Sequence, residues 1–353
     1  MTDPLHSLDR CAAILFRLCL ALPGIMLAFL LVGVLAAAGA EPDACDGRDL
    51  RPALLADGKL AGVEAKAAAV PNGAGKLFRV ERAGLAPSHL FGTIHLTDPR
   101  VLALPASAEQ AFTASERLVI ETTDVLDPVK AAASFFAHPE LINLPKGQTL
   151  ADLVDPAEKA RLEAALAAKG IPFQSVHTLQ PWFTSMSLML PDCEAARKKD
   201  GAPVLDVQLA ERAIAAGKPV EGLETSEEQL RALASLSTDL QVDSLLATID
   251  LQDRMPDVME TMLALYREGK IAAIMPAIEA AVPDGGILVG AGKGYAEFEE
   301  RVVTERNHRM VERMRPMLEK GGAFVATGAL HLPGEDGLVA LLGKAGWTVT
   351  RAD

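Results

Sequence analysis

The sequence predicts an α/β (α+β) fold built on a mixed central sheet. Two Gly-x-x-His turns, Gly92-Thr-Ile-His95 and Gly328-Ala-Leu-His331, each close an apolar strand-like run. Each turn then leads through a helical stretch to a second apolar run, giving a strand, helix, strand unit twice. Between the two units, from about residue 127 to 313, the periodicity is mainly helical, which reads as a large helical insertion.

Taken in order, residues 1–40 read as an export signal. Arg10 and Arg17 precede an uncharged run from Leu18 to Ala40 that ends in small residues, and cleavage after Ala40 fits the small-x-small rule. The alternative is an uncleaved anchor, because 23 residues without a charge can span a bilayer. Either way the rest of the chain is expected to be exported, periplasmic or otherwise extracytoplasmic, touching a membrane only through residues 18–40. A lipoprotein fits less well, since Pro42-Asp43-Ala44 puts no apolar residue three positions before Cys45. Residues 41–353 are expected to form one domain.

The mature part opens with a hairpin, Lys76–Arg82 and Ser88–His95, turned at Gly84. A helix from Ser107 to Ala114 then leads to Arg117-Leu-Val-Ile-Glu-Thr-Thr123, an apolar run ending in polar residues as buried parallel strands do. Helices follow over Asp155–Lys169, Leu205–Ala216 and Ser226–Ser237, interrupted by a short strand at Lys218–Glu224. Ser226 and Gln229 have the spacing of a capping box, which puts Glu224 between a strand end and a helix start. The second unit runs from Gly322 to His331, through a helix at Gly337–Ala345, to Trp347–Arg351. Phe91-Gly-Thr-Ile-His-Leu96 and Thr327-Gly-Ala-Leu-His-Leu332 share Gly, an aliphatic residue, His and Leu in the same order, a weak internal repeat.

Composition excludes several classes. A formal net charge of -13 repels phosphate backbones, and at 4% aromatic the chain is poor in stacking platforms, so no nucleic-acid partner is expected. There is no His-Glu-x-x-His, no Gly-x-Ser-x-Gly elbow, and Gly290-Ala-Gly-Lys-Gly294 lacks the Ser or Thr and the first Gly of a phosphate loop. Of four cysteines, Cys11 and Cys19 fall in or before the signal run. Cys45 and Cys193 are left to pair in an oxidising compartment, closing a loop of about 150 residues and contributing about 4 kcal/mol if unstrained.

A Gly three residues before a strand-end His permits close backbone approach and lets the imidazole project from the sheet's C-terminal edge, where open α/β sheets bind ligands. A right-handed crossover makes the Glu121 strand parallel to the His95 strand; as neighbours about 4.8 Å apart, their ends would carry Glu121 and His95 side by side. His331 adds a second imidazole. Two His and one carboxylate suit Zn, Mn, Co or Fe with positions left for water and substrate, or, without metal, a general base and its orienting partner. Arg306, beside Asn307 in Thr304-Glu-Arg-Asn-His308, has the chemistry to clamp a carboxylate or oxyanion. With Arg301, Arg309, Arg313 and Arg315 around it, a solvated helix face is the reading favoured by sequence. Glu224 reads equally as a site residue or as an acid favouring the dipole of the next helix. His89, His138, His177 and His308 lack a repeated context and read as structural.

Together, Leu90-Phe-Gly-Thr-Ile-His95, Val119-Ile-Glu-Thr122, Gly222-Leu-Glu-Thr225-x-x-x-Gln229, Glu305-Arg-Asn307 and Gly328-Ala-Leu-His-Leu-Pro-Gly-Glu335 resemble the TraB/GumN (TraB/PrgY/GumN) family from about Cys45 to Arg351. The resemblance implies an α/β fold shared with Tiki-type proteases, erythromycin-esterase-like enzymes and ChaN-like haem-binding proteins. It also implies metal-dependent hydrolysis of a peptide or small-molecule substrate, with Mn, Co or Zn as cofactor. By position, His95 and His331 carry over as the paired histidines, Glu121 as the acidic residue, and Arg306 with Asn307 as the polar pair. Glu224 falls in the Gly-Leu-Glu-Thr motif of bacterial members. Two rival readings stand beside this one: a haem- or ligand-binding envelope protein, and an accessory protein of polysaccharide export.

Overall fold

The computed structural model describes residues 45, 47–281 and 293–353. The export segment expected at 1–40 lies outside the described residues. A sheet of six strands organises the rest: β1 Leu77–Glu81, β2 Ser88–Thr93, β3 Arg117–Ile120, β4 Val220–Gly222, β5 Ala323–Gly328 and β6 Thr348–Arg351, in the order β4-β3-β5-β2-β1-β6. β1 runs antiparallel to both β2 and β6, while the β2–β5, β3–β5 and β3–β4 pairs are parallel, so the sheet is mixed as the sequence predicts.

Burial explains which strands are central. β5 is almost continuously buried and β2 nearly so, the signature of strands covered on both faces, whereas β6 at the edge is largely exposed. Alternation then divides the core in two. Phe91, Leu118, Ile120, Phe324 and Ala326 point to one face, where Leu205, Leu209, Val258 and Ile274 cover them. Leu90, Val119, Ala323 and Val325 point to the other, against Met310, Met314, Leu338 and Leu342. Phe324 anchors the first face, with its ring centroid 5.7 Å from Phe91 and 5.5 Å, edge-on, from Phe112.

One expectation is corrected. β3 does not lie beside β2, because β5 is inserted between them. A crossover helix fixes the hand and direction of the connection but not adjacency. The helix Ala106–Ala114 carries the chain past one strand position that β5 fills about two hundred residues later. The consequence for function is favourable. The C-terminal ends of β4, β3, β5 and β2 stand in a row, and the residues just past them are Glu224, Glu121, the turn to His331, and His95.

The insertion is helical apart from β4 among the described strands, and it carries its own small core of Leu150, Leu162, Leu166, Val176, Leu188 and Leu245. Its first long helix, Pro156–Ala168, starts at an Asp155 cap that accepts from Ala157 and Glu158 N–H, within a residue of where the sequence puts it. Cys45 and Cys193 form the expected disulfide, with Cα atoms 5.5 Å apart across 148 residues. No helix among the described residues is long and apolar enough to cross a membrane.

Candidate active site

The two glycines of the Gly-x-x-His turns make room for different things. A Cβ on Gly92 would meet Leu332 Cδ1 at 2.7 Å and Ala329 Cα at 3.0 Å, so this glycine lets β2 press against the second turn. A Cβ on Gly328 would stand 3.2 Å from Glu121 Oε1, 3.5 Å from His331 Cδ2 and 3.7 Å from His95 Nε2. Neither glycine has a positive φ, so clearance rather than backbone freedom is what the positions require. The bare Cα of Gly328 is therefore the floor on which His95, Glu121 and His331 converge.

Glu121 follows β3 and is buried. Its Oε1 accepts from the Gly328 N–H at 2.6 Å, and its Oε2 from Arg306 Nη2 at 2.7 Å and Gln229 Nε2 at 3.0 Å. Burial pushes the carboxyl up, but the neighbouring His331, His95 and Arg306 and the Gly328 N–H outweigh it and hold the group at about 2. The group is thus an anion with a lone pair to spare.

His331 sits in the 3-10 turn Ala329–His331 that follows β5. Its Nδ1 is 2.7 Å from Asn307 Oδ1, and Asn307 Nδ2 donates to the Asp336 carbonyl at 2.8 Å. Because the amide oxygen can only accept, the network assigns the ring proton to Nδ1 and leaves the lone pair on Nε2, 3.9 Å from Glu121 Oε1. Burial, with repulsion from Arg306 and His95, pushes this imidazole down to about 4 against the pull of Glu121. It is neutral at pH 7.

His95 lies two residues past β2, with its side chain 59% exposed, unlike the buried Glu121 and His331. Its Nδ1 is 2.9 Å from Asp206 Oδ2, and Asp206 Oδ1 accepts from Thr93 Oγ1 at 2.7 Å. Crowding lowers its pKa, but the Asp206 charge and hydrogen bond, helped by Glu121, raise it to about 9.

Arg306 and Glu224 close the far wall. Arg306 donates to Glu224 Oε2 through Nε at 3.0 Å and Nη2 at 2.7 Å, and through Nη1 to the Val302 carbonyl at 3.2 Å. Val302 belongs to a π-helical turn, Glu299–Thr304, just before the helix Glu305–Leu318. The solvated helix face favoured by sequence is corrected for this residue. Arg306, Arg309 and Arg313 fall at i, i+3 and i+7 and turn together towards Glu224 and Glu228, while Arg301 and Arg315 stay exposed. Both expected pairs, His95 with Glu121 and Arg306 with Asn307, are in this one cluster, and Glu224 joins it through Arg306. The other four histidines among the described residues are elsewhere: His89 on β2, His138 beside Glu140 and Glu227, His177 on the Gln174 carbonyl and His308 at Asp336.

The capping box is one residue earlier than the sequence suggested. Thr225 Oγ1 accepts from Glu228 N–H and Glu228 Oε2 from Thr225 N–H, which frees Gln229 to reach Glu121. Sequence reasoning also missed Asp206. Its signal, an acid in the first turn of the helix Leu205–Ala215, is the same as that of any residue complementing a helix dipole.

The donor set fits a divalent ion in its chemistry: two imidazoles tethered through Nδ1 with Nε2 turned inward, beside a carboxylate. The spacing is looser than a ligand set. Two ligands on a tetrahedral ion at about 2.1 Å stand about 3.4 Å apart, against 3.9 Å between His331 Nε2 and Glu121 Oε1. Among the described residues, no three His, Cys, Asp or Glu are already drawn together as a metal cage.

Comparison with known proteins finds metalloproteases among the relatives of the chain. The chain is 27% identical to Metalloprotease TIKI1 of Danio rerio over 305 residues, 74% of this chain and 60% of that protein. It is 27% identical to Metalloprotease TIKI2 of the same organism over 314 residues, 74% of this chain and 58% of the relative. To human Metalloprotease TIKI1 it is 25% identical over 310 residues, 75% of this chain and 60% of the relative. The chain thus spans about three fifths of the length of these curated relatives. No solved structure matches it. The TraB/PrgY/gumN family model matches residues 76–351, from the residue before β1 to the end of β6, and the chain belongs to that family.

Proposed function

We propose that the protein is an exported, metal-dependent hydrolase of peptides, with His95, Glu121 and His331 holding Mn, Co or Zn. The observation that carries this reading is the convergence of His95 Nε2, Glu121 Oε1 and His331 over Gly328, with both Nδ1 atoms tied back. Relatives named metalloproteases support it. The Cys45–Cys193 disulfide supports an oxidising compartment.

When bound, such an ion lowers the pKa of a water towards neutrality and polarises a carbonyl. The chain's own residues prepare for that. Asn307 holds the lone pair of His331 inward, and Arg306, Gln229 and the Gly328 N–H hold Glu121 ionised and aimed at the same point. Every nitrogen of Arg306 is already engaged, so Arg306 and Asn307 act through Glu121 and His331 rather than on the substrate. Glu224 balances Arg306. His95, the exposed one of the three, faces the side from which substrate enters.

A second reading, metal-free acid–base chemistry by His95 and Glu121, is favoured by the 3.9 Å gap between His331 and Glu121. The test is bound metal and peptide cleavage by the purified full chain, with and without chelator, repeated in His331→Ala. Loss of both metal and cleavage is expected. Cleavage indifferent to chelator selects the metal-free reading, and unchanged metal and cleavage in His331→Ala refute the first.

A further inference from the structure

The two histidines at Gly328 are held by unlike partners. His331 is backed by the neutral amide of Asn307, and His95 by the carboxylate of Asp206. We infer that Asp206 is a positioning residue for His95: it fixes the ring's orientation and makes Nε2 the nitrogen presented to the site.

The geometry leaves little else for Asp206 to do. Its residue is buried, and both its oxygens are taken by side chains that leave β2 in sequence, Thr93 Oγ1 on Oδ1 and His95 Nδ1 on Oδ2. Thr93 and His95 are two residues apart along an extended chain, so both point to the same side, and one carboxylate spans them. His95 needs such a tether. It lies beyond the last strand residue, is 59% exposed, and without a partner would sample several rotamers.

The surroundings hold Asp206 in turn. It sits in the first turn of the helix Leu205–Ala215, whose Leu205 and Leu209 are fully buried against the sheet. Tyr266, on the helix Met255–Arg267, donates to the Gly92 carbonyl at 2.9 Å, and burial together with the charge of Asp206 pushes its hydroxyl far up. The phenol stays protonated and braces the strand that carries Thr93. A carboxylate behind an imidazole also makes the ring a stronger donor through its other nitrogen, which an amide does not. This last point rests on the proposed metal site; the orientation of the ring does not.

The test is long-range ¹H–¹⁵N correlation of the histidine rings in the ¹⁵N-labelled full chain, followed to a pH at which the His95 signals no longer move and the ring is neutral, with its signals assigned by their loss in His95→Ala. The Nδ1–H tautomer is expected in the wild type and in Asp206→Asn, which keeps an accepting oxygen. The Nε2–H form is expected to take over in Asp206→Ala. A wild-type ring already in the Nε2–H form, or an unchanged ring in Asp206→Ala, overturns the inference. If Asp206→Ala does not fold, the wild-type tautomer alone decides. A zinc titration run in parallel is expected to show affinity about 10–100-fold weaker in Asp206→Asn. Zinc that does not bind the wild type, beside the expected tautomers, removes the metal reading and leaves the role of Asp206 standing.

Discussion

Arg306 donates to Glu121 at 2.7 Å across 185 residues of sequence, tying the end of β3 to a helix on the far side of the insertion. Through the same Nη2 it reaches Glu224 at 2.7 Å. One cation thereby holds two buried carboxylates, one from each of two neighbouring parallel strands. Removing it is expected to do more than weaken a contact. Arg306→Ala leaves Glu121 without its guanidinium and Glu224 with only the longer Arg309 contact at 3.3 Å, and should cost about 3–5 kcal/mol in urea unfolding. Arg306→Lys should recover little, because one ammonium cannot reproduce the fork. A loss below about 1 kcal/mol would contradict this role.

Gly328→Ala separates fold from site. The added methyl stands 3.2 Å from Glu121 Oε1 and 3.7 Å from His95 Nε2, while its nearest contacts are side chains rather than backbone. Stability should fall by about 1–3 kcal/mol, and the proposed peptide cleavage by about 100-fold. Gly92→Ala, which meets Ala329 Cα at 3.0 Å and Leu332 Cδ1 at 2.7 Å, should be the more destabilising of the two. Equal unfolding midpoints for the two variants would contradict the assignment of clearance.

Glu228 makes part of the site's support pH-dependent. Hydrogen bonds from Arg313, at 2.7 Å to each oxygen, outweigh burial and hold its carboxyl at about 2. A folded pKa below the unfolded value means that the stabilisation is complete at neutral pH. It declines as pH falls below the unfolded carboxylate range and is gone near pH 2. Glu228→Gln should therefore be less stable than the wild type at pH 7, by no more than about 1 kcal/mol for so exposed a pair, and equal to it near pH 2. A difference that grows on acidification has the wrong sign.

The disulfide should bear on the loop after His95 as well as on stability. Cys193 opens the helix Asp192–Lys199, where buried Glu194 accepts from Thr97 N–H at 3.0 Å and Thr97 Oγ1 at 2.7 Å, and Arg197 Nη2 lies 3.2 Å from Cys45 Sγ. Cys193→Ser is expected to lower stability by about 2–5 kcal/mol. Hydrogen exchange at Thr97 should quicken, and dithiothreitol should do the same to the wild type and nothing to the variant. A wild type indifferent to reductant would contradict the clamp.

Much of the sheet was legible because burial leaves a trace in sequence: the apolar runs of β2, β3 and β5 and the Gly-x-x-His turns are local patterns. The strand order was not, since nothing in Arg117–Ile120 records that β5 will come between it and β2. The same limit governs the site. His95, Glu121 and His331 were found because each marks a strand end. Asp206 was missed and Gln229 was read only as a capping partner and motif residue because both project from helices, where an acid in a first turn or an amide near a cap has an ordinary local explanation. Arg306 was underrated for a related reason: five arginines in one stretch read as solvated until the helix shows three of them sharing a stripe, two against the buried Glu224 and one against the part-exposed Glu228.

Anomalous diffraction from crystals of the full chain grown with Mn or Zn tests the metal site most directly. A single strong peak above Gly328, within about 2.0–2.3 Å of His95 Nε2, His331 Nε2 and Glu121 Oε1, is the expected result. A well-ordered recess with no peak there, or an ion held elsewhere by other residues, would contradict it.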